Sequence, residues 1–481
     1  MKKLTTLLLL ITTLFTSCEK NRDYESTLND DIHLYIWRAM NTYYLWQEDV
    51  PDLADTRFTY VSELQEYYRS FQSPSNMFES ILYQPGVVDK FSVIVDDYVA
   101  LENTLSGISQ TTGMEFGLVR YANNSSNVFG YVRYVLPQTD ADTQGVTRGM
   151  IFTRIDGIQL TDTNFRDLLF SQNTSFTMEL ADYNDGDPIA NGTTISLTKS
   201  QIQENPVHKV TTIEEGAHKV GYLMYNQFNE DFDSELNSAF GFFQSENITD
   251  LIIDLRYNGG GRTSSALWMG SMVTGQFNGQ LFSRERWNQK VLDALDNNLF
   301  INNFTDEIEN RDQNGVLQLQ ETINSLNLNR VYFITTERTA SASELVMNSL
   351  APYIDVYSVG TTTTGKVNGS ITLYDSDNFL RTGDNLNPNH TWAIQPLVVE
   401  IVNANDQNVP VGIDPTVNLP ENYGNLGVLG ERSDPLIDRT MTLITTGSRM
   451  ADRNIDPMDE LANSKSNSPA YNNMYLNIKK Q

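Results

Sequence analysis

Between residues 219 and 360, short unbroken apolar runs alternate with stretches of helical spacing, and this alternation constrains the fold more than any other feature. Residues 220–225, 251–255, 331–335 and 356–360 are rich in β-branched and aromatic side chains. Runs of that length without polar alternation read as strands covered on both faces. Residues 233–243 carry an amphipathic helical pattern, and a second helix is expected to start near Ala342. The pattern therefore predicts an α/β core, with helices packed on a largely parallel sheet. That core is expected over residues 201–445, interrupted by an Asn-rich, acidic surface insertion at about 280–329.

Two other textures precede it. Ile32, Tyr35, Ile36, Ala39, Met40, Tyr43 and Trp46 recur at three and four residues, predicting a helix capped by Asp30 or Asp31 and stopped at Val50-Pro51. Residues 31–106 thus form an N-terminal helical region. Residues 107–200 read as a β-rich module: 129–136 and 151–155 are strand-like, and Gly145, Gly149 and Asp156-Gly157 mark turns. The fold class is α/β and multidomain.

At the start of the chain Lys2 and Lys3 precede an apolar run over residues 4–15, too short for a permanent membrane span. It leads into Thr16-Ser17-Cys18. Residues 1–17 are expected to be a signal peptide, 18–30 a tether and 446–481 a C-terminal tail. With Cys18 as the single cysteine, a disulfide framework and a Cys-based zinc site are excluded. Four histidines leave little for a His-rich metal cluster, and no metal or cofactor is expected. Sixty-one Asp and Glu against 33 Lys and Arg give a net charge of −28, which argues against nucleic acid as a partner.

Two stretches of the core carry chemistry. Asp254-Leu255-Arg256-Tyr257-Asn258-Gly259-Gly260-Gly261 places three glycines after a buried strand, where backbone amides can approach a ligand closely. No Gly-Lys-Ser/Thr follows, which disfavours a nucleotide loop. Thr339-Ala340-Ser341-Ala342-Ser343-Glu344 puts a hydroxyl at a helix N-terminus. On local pattern alone Ser341 and Glu344 also fit a capping box, which nearly any helix can use.

Together with Gly365-Lys366, 25 residues after Ser341, these stretches resemble the C-terminal processing (tail-specific) serine peptidases. The resemblance implies a crotonase/ClpP-like peptidase core in which Ser341 is the nucleophile and Lys366 its base. It implies an oxyanion hole from the amides of Gly259 and Ala342, and structural roles near the site for Glu344 and Arg256, expected to pair with each other. Val135-Leu136-Pro137, Gly145-Val146-Thr147-Arg148-Gly149 and Ile155-Asp156-Gly157 look like a PDZ domain, the peptide-binding module such enzymes carry. Its carboxylate-binding loop would fall near Phe116, Gly117 and Leu118. Val411-Gly412-Ile413-Asp414-Pro415-Thr416-Val417 is similar to the family's closing strand. Phe15-Thr16-Ser17-Cys18 resembles a bacterial lipobox, implying lipidation at Cys18, a membrane contact through that lipid, and a cell-envelope location.

The sequence departs from the family pattern at the third catalytic position. Where many members carry a Gln, this chain has Ser370, and where others carry an Asp it has Pro352. A hydroxyl at 370 can donate to or accept from Lys366, so Ser370 is the candidate third member. The expected function is a lipid-anchored serine endopeptidase acting on polypeptides bound by an extended C-terminal segment. The competing reading is a catalytically silent, PDZ-type peptide-binding lipoprotein. A Ser-His-Asp hydrolase would need one of His33, His208, His218 or His390, all in polar surroundings.

Overall fold

The structure, a computed structural model, describes residues 32–123, 125–312, 314–449, 458–469 and 471–477. The predicted leader and Cys18 lie outside the described residues. Among those residues no helix is long and apolar enough to cross a membrane.

Helix α1, Ile32–Tyr43, buries Tyr35, Ile36, Ala39 and Met40 on one stripe, as its spacing dictates. It ends before the predicted stop, because Tyr44 turns inward and its hydroxyl donates to Asp89 Oδ2 at 2.7 Å. Strand β1, Val93–Val95, then pairs antiparallel with Ala393–Gln395, tying the N-terminal region to the core.

The β-rich module is built on β2 (Met114–Arg120), β3 (Val128–Val135), β4 (Ile151–Ile155), helix α2 (Phe165–Leu169), β5 (Ser175–Asp182) and β6 (Ile189–Thr198). Its strands follow the order β2-β3-β4-β5-β6, with Ile158–Gln159 folded back on β4. Met114, Phe116, Leu118, Phe152, Phe165 and Met178 fill its core.

The core contains β7 (Val207–Glu215), β8 (His218–Tyr225), α3 (Asp233–Glu246) and β9 (Asp250–Asp254). Next come β10 (Gly261–Arg262), α4 (Thr263–Thr274), β11 (Leu281–Trp287) and β12 (Ile301–Asn303). After them run β13 (Arg330–Thr335), α5 (Ala342–Leu350), β14 (Asp355–Gly360), β15 (Asn368–Ser370), β16 (Leu397–Val402), β17 (Val417–Asn418) and α6 (Pro435–Thr446). One sheet has the order β7-β8-β9-β13-β14-β17, and every pair beyond β7-β8 is parallel. Leu223, Ile253 and Phe333 point to one face, under α3, α4 and α5. Tyr222, Ile252 and Tyr332 point to the other, under α6. The near-continuous hydrophobicity of these strands is the consequence of both faces being covered.

A second sheet corrects two expectations. Its order is β10-β19-β15-β16-β11-β12, where β19 is Met474–Tyr475. The segment expected as a surface insertion therefore supplies β11, paired antiparallel with β16, and only the hairpin of Glu307–Arg311 with Leu317–Thr322 makes an excursion. The expected C-terminal tail is equally part of the fold. Its residues Glu460–Asn463 form β18, which adds to the free edge of β2, and β19 then lies between β10 and β15. The alternation that revealed the first sheet is absent here, since β10 and β19 are only two residues long.

Candidate active site

The site lies beyond the C-terminal ends of β9 and β13, where a parallel sheet opens a crevice between its loops. Two loops are knit together there. The Thr339 hydroxyl donates to Leu255 O at 2.8 Å, the Ala340 amide to Asn258 O at 3.2 Å and the Ser343 hydroxyl to the same carbonyl at 3.1 Å. The Asn258 side chain holds the glycine loop from inside, accepting from the Gly260 amide at 2.8 Å and donating to Tyr225 O at 2.8 Å.

Ser341 caps α5 with φ 67° and ψ −117°, a backbone conformation that L-residues rarely adopt. Only glycine fits opposite it. At Gly260, φ 107°, a Cβ would lie 2.5 Å from Ser341 Cβ and 2.8 Å from Asn473 O. The Ser341 side chain is fully buried, and its hydroxyl has no hydrogen-bond partner among the described residues. The expected capping box is thus half formed. Glu344 reaches back to the Ser341 amide at 2.8 Å, while the serine hydroxyl is left out.

Glu344 does more than cap. Its carboxylate also accepts from the Gly365 amide at 2.6 Å, the Lys366 amide at 2.9 Å and the Thr363 hydroxyl at 2.5 Å. One buried side chain therefore fastens the serine turn to the lysine loop. It does not pair with Arg256, contrary to expectation. Arg256 is instead buried among Asp254, Asp434 and Glu421, at 2.7, 2.9 and 3.2 Å. Arg148 of the β-rich module shares this cluster, meeting Glu421 at 3.1 Å, Asp434 at 3.3 Å and the Tyr257 hydroxyl at 2.9 Å.

Lys366 is 2% exposed. Burial is the chief influence on its amine, pulling the pKa down to about 7, against a smaller upward pull from Asp89 and Glu344. The Phe91 ring, 4.8 Å from Nζ, forms part of that enclosure. Nζ donates to Asn472 O at 2.7 Å and lies 3.4 Å from Asn473 Oδ1. Ser370 does not reach the lysine directly. Its hydroxyl donates to Asn473 Oδ1 at 2.9 Å, and Asn473 Nδ2 donates to Gln395 Oε1 at 2.6 Å. Asp89, Phe91, Gln395, Asn472 and Asn473 carry no motif, so sequence reasoning missed them all. They come from segments far apart in the chain, and only folding brings them to Lys366.

The amides of Gly259 and Ala342 donate to no protein acceptor among the described residues, leaving both available to a ligand oxygen. Phe116, Gly117 and Leu118 lie on β2. Phe116 packs on Phe152 and Phe170, with ring centroids 5.8 and 6.2 Å apart. Gly117 faces the Tyr131 ring, which a Cβ would strike at 2.3 Å. The β2 edge itself is taken by β18, with Ala462 opposite Leu118 and Asn463 opposite Gly117. A cleft of about 880 Å³ runs from Met114 and Phe170 of the module to Gly259 and Gly260 of the core.

The histidines lie elsewhere. His218 and His390 pair with Asp250 and Asp375, and the His208 ring lies tilted against Tyr134. Among the described residues, no group of three or more His, Cys, Asp or Glu is placed to hold a metal.

The sequence matches the description Peptidase family S41 over residues 219–417, and Peptidase S41 N-terminal domain over residues 31–93. No curated protein matches the chain. Among solved structures, a protein from Bacteroides fragilis NCTC 9343 assigned to the S41 proteases has the same fold. It is 22% identical at a TM-score of 0.65, over 86% of this chain and 97% of its own. The photosystem II D1 C-terminal processing protease is 17% identical at a TM-score of 0.47, over 84% of this chain and 98% of its own. The two S41 matches together take in more than half of the sequence, and the chain belongs to peptidase family S41, as a serine-type peptidase.

Proposed function

We propose that the protein is a lipid-anchored endopeptidase of the bacterial cell envelope that cleaves unfolded polypeptides through a Ser341–Lys366 dyad. One observation carries the dyad: the Glu344 carboxylate accepts from the amides of both Ser341 and Lys366, which sets the two loops in a fixed relation. The buried amine, with its pKa near 7, is suited to act as a base at neutral pH.

In the reaction the Ser341 hydroxyl attacks the substrate carbonyl carbon while neutral Lys366 takes its proton. The oxyanion is received by the amides of Gly259 and Ala342, assisted by the N-terminus of α5. The ammonium of Lys366 then protonates the leaving amine as the C–N bond breaks. Water, deprotonated by the same amine, releases the acyl group and regenerates the serine. The β-rich module acts as a PDZ domain that receives an extended peptide. Attachment through a lipid on Cys18 rests on the lipobox-like sequence.

The test uses protein lacking residues 1–18 and an unstructured polypeptide. Cleavage is expected in the parent, with loss of about 10⁴-fold or more in Ser341→Ala and in Lys366→Ala. If either variant cleaves as well as the parent, the dyad is wrong. Membrane fractionation of the full chain against Cys18→Ala tests the anchor, and equal membrane retention of the two overturns it.

A further inference from the structure

The C-terminal segment crosses both places a substrate would need. At its start, β18 completes the edge of β2, and the Ser464 amide adds a further bond to Phe116 O at 3.0 Å. At its end, Asn472 packs on Gly259, a Cβ on which would meet Asn472 Oδ1 at 2.9 Å and its amide nitrogen at 3.2 Å. Asn473 O crowds Gly260 as well, 2.8 Å from where a Cβ would lie. The Asn472 carbonyl accepts a hydrogen bond from Lys366 Nζ at 2.7 Å, engaging the amine that would otherwise receive the serine's proton. No hydrogen bond joins Ser341 to Lys366, and both side chains are buried, at 0% and 2% exposure. Asn472 Oδ1 is itself buried with no partner among the described residues, so its placement against Gly259 is not explained by its own hydrogen bonding.

The segment is held at two kinds of anchor. Glu460 is buried between Arg133, at 2.5 Å, and Arg338, at 3.1 Å, and Lys465 meets Glu204 at 2.7 Å. Beyond the site, Met474 and Leu476 enter the hydrophobic core. We propose that residues 458–469 and 471–477 form an intramolecular strap that walls the cleft, seals Ser341 and Lys366 off from it and keeps the peptidase closed. An unfolded polypeptide that competes for the β2 edge displaces the strap, which exposes Ser341 and frees Lys366 to turn to it. The proposal rests on the dyad reading for its catalytic consequence, but not for its structural one.

The experiment separates the two. A chain starting after Cys18 and carrying Ser341→Cys has one thiol, whose rate of labelling by a small maleimide reports access to position 341. With the strap intact, labelling is expected to be at least about 100-fold slower than in denaturant, as for any site reached only through local opening. Glu460→Gln combined with Lys465→Gln weakens the anchors while leaving Met474 and Leu476 in place. Labelling should then rise about tenfold or more, and a synthetic peptide of residues 458–477 added in excess should slow it again. Should the double variant not fold, Ala462→Pro deletes one ladder donor without disturbing a charge and is read the same way. Equal labelling in strapped and loosened chains overturns the strap. The anchor substitutions in the Ser341 chain are expected to raise cleavage of unfolded polypeptide by about tenfold. Faster labelling without any cleavage leaves the strap standing and removes the dyad. Cleavage that is lost in Ser341→Ala but unchanged by the anchor substitutions, with labelling also unchanged, does the reverse.

Discussion

The two sheets of the core are built on opposite plans, and the nucleophile and the base are divided between them. The first sheet takes its strands in chain order, is covered on both faces, and ends on Asn258 and Ser341. The second gathers short strands from distant parts of the chain, including the C-terminal Met474–Tyr475, and Lys366 lies just before its β15. A serine beyond a largely parallel sheet is held by the packing of that sheet and by hydrogen bonds between its neighbouring loops. A lysine on a patchwork depends on whichever segments complete its surroundings.

Disturbing the first sheet should have the largest effect. Arg256→Met leaves Asp254, Asp434 and Glu421 with less compensation in a dry interior, a loss of about 3–5 kcal/mol. Chemical denaturation should show it, and a midpoint unchanged from the parent would break the contrast. Next comes the contact between sheets at Gly260. Gly260→Ala forces a Cβ into Ser341 at φ 107°, and we expect a loss of about 3 kcal/mol by the same measurement. Glu344→Gln removes the charge that accepts four hydrogen bonds and sets a donor among donors. A loss of about 2 kcal/mol is expected, with kcat/KM falling about 100-fold because the serine and lysine loops come apart.

The smallest effect concerns the second sheet alone. Cleavage should rise with pH through about 7 as Lys366 loses its proton, since only the neutral amine is a base. Asp89 favours the charged lysine, so Asp89→Asn should move that limb to lower pH. A limb that stays in place shows that Asp89 does not act on the base. The same lowered pKa works against stability. The unfolded lysine holds its proton up to about 10.5, so the cost of burying it is largest below about 7 and fades as pH rises toward that value. Lys366→Met should be more stable than the parent at pH 6, with the gap closing above pH 7.

What could be read from the sequence follows the same division. Residues 251–255 and 331–335 announced β9 and β13 because a strand buried on both faces has no other way to be written. The serine turn was legible because its motif is local. Gly260 was legible as a loop glycine, but not as the residue pressed on Ser341. The environment of Lys366 was not legible, since Asp89, Phe91, Gln395, Asn472 and Asn473 are ordinary residues made special by tertiary contact. Nor was β11, whose alternation sits in a polar stretch and reads as surface until β16 is laid beside it. Arg256 was legible as important and misassigned in its partner, because its three carboxylates come from residues 254, 421 and 434, of which only the first is nearby in the chain.

Arg148 gives the β-rich module a stake in the core's interior. Its guanidinium shares Glu421 and Asp434 with Arg256, so the two acids are neutralised by a pair of cations from different parts of the chain. Lifting the module away would uncover surplus negative charge at the base of the glycine loop. The module is therefore not a bead on a string. Heating should melt it together with the core in a single calorimetric peak, and Arg148→Met should split that peak in two.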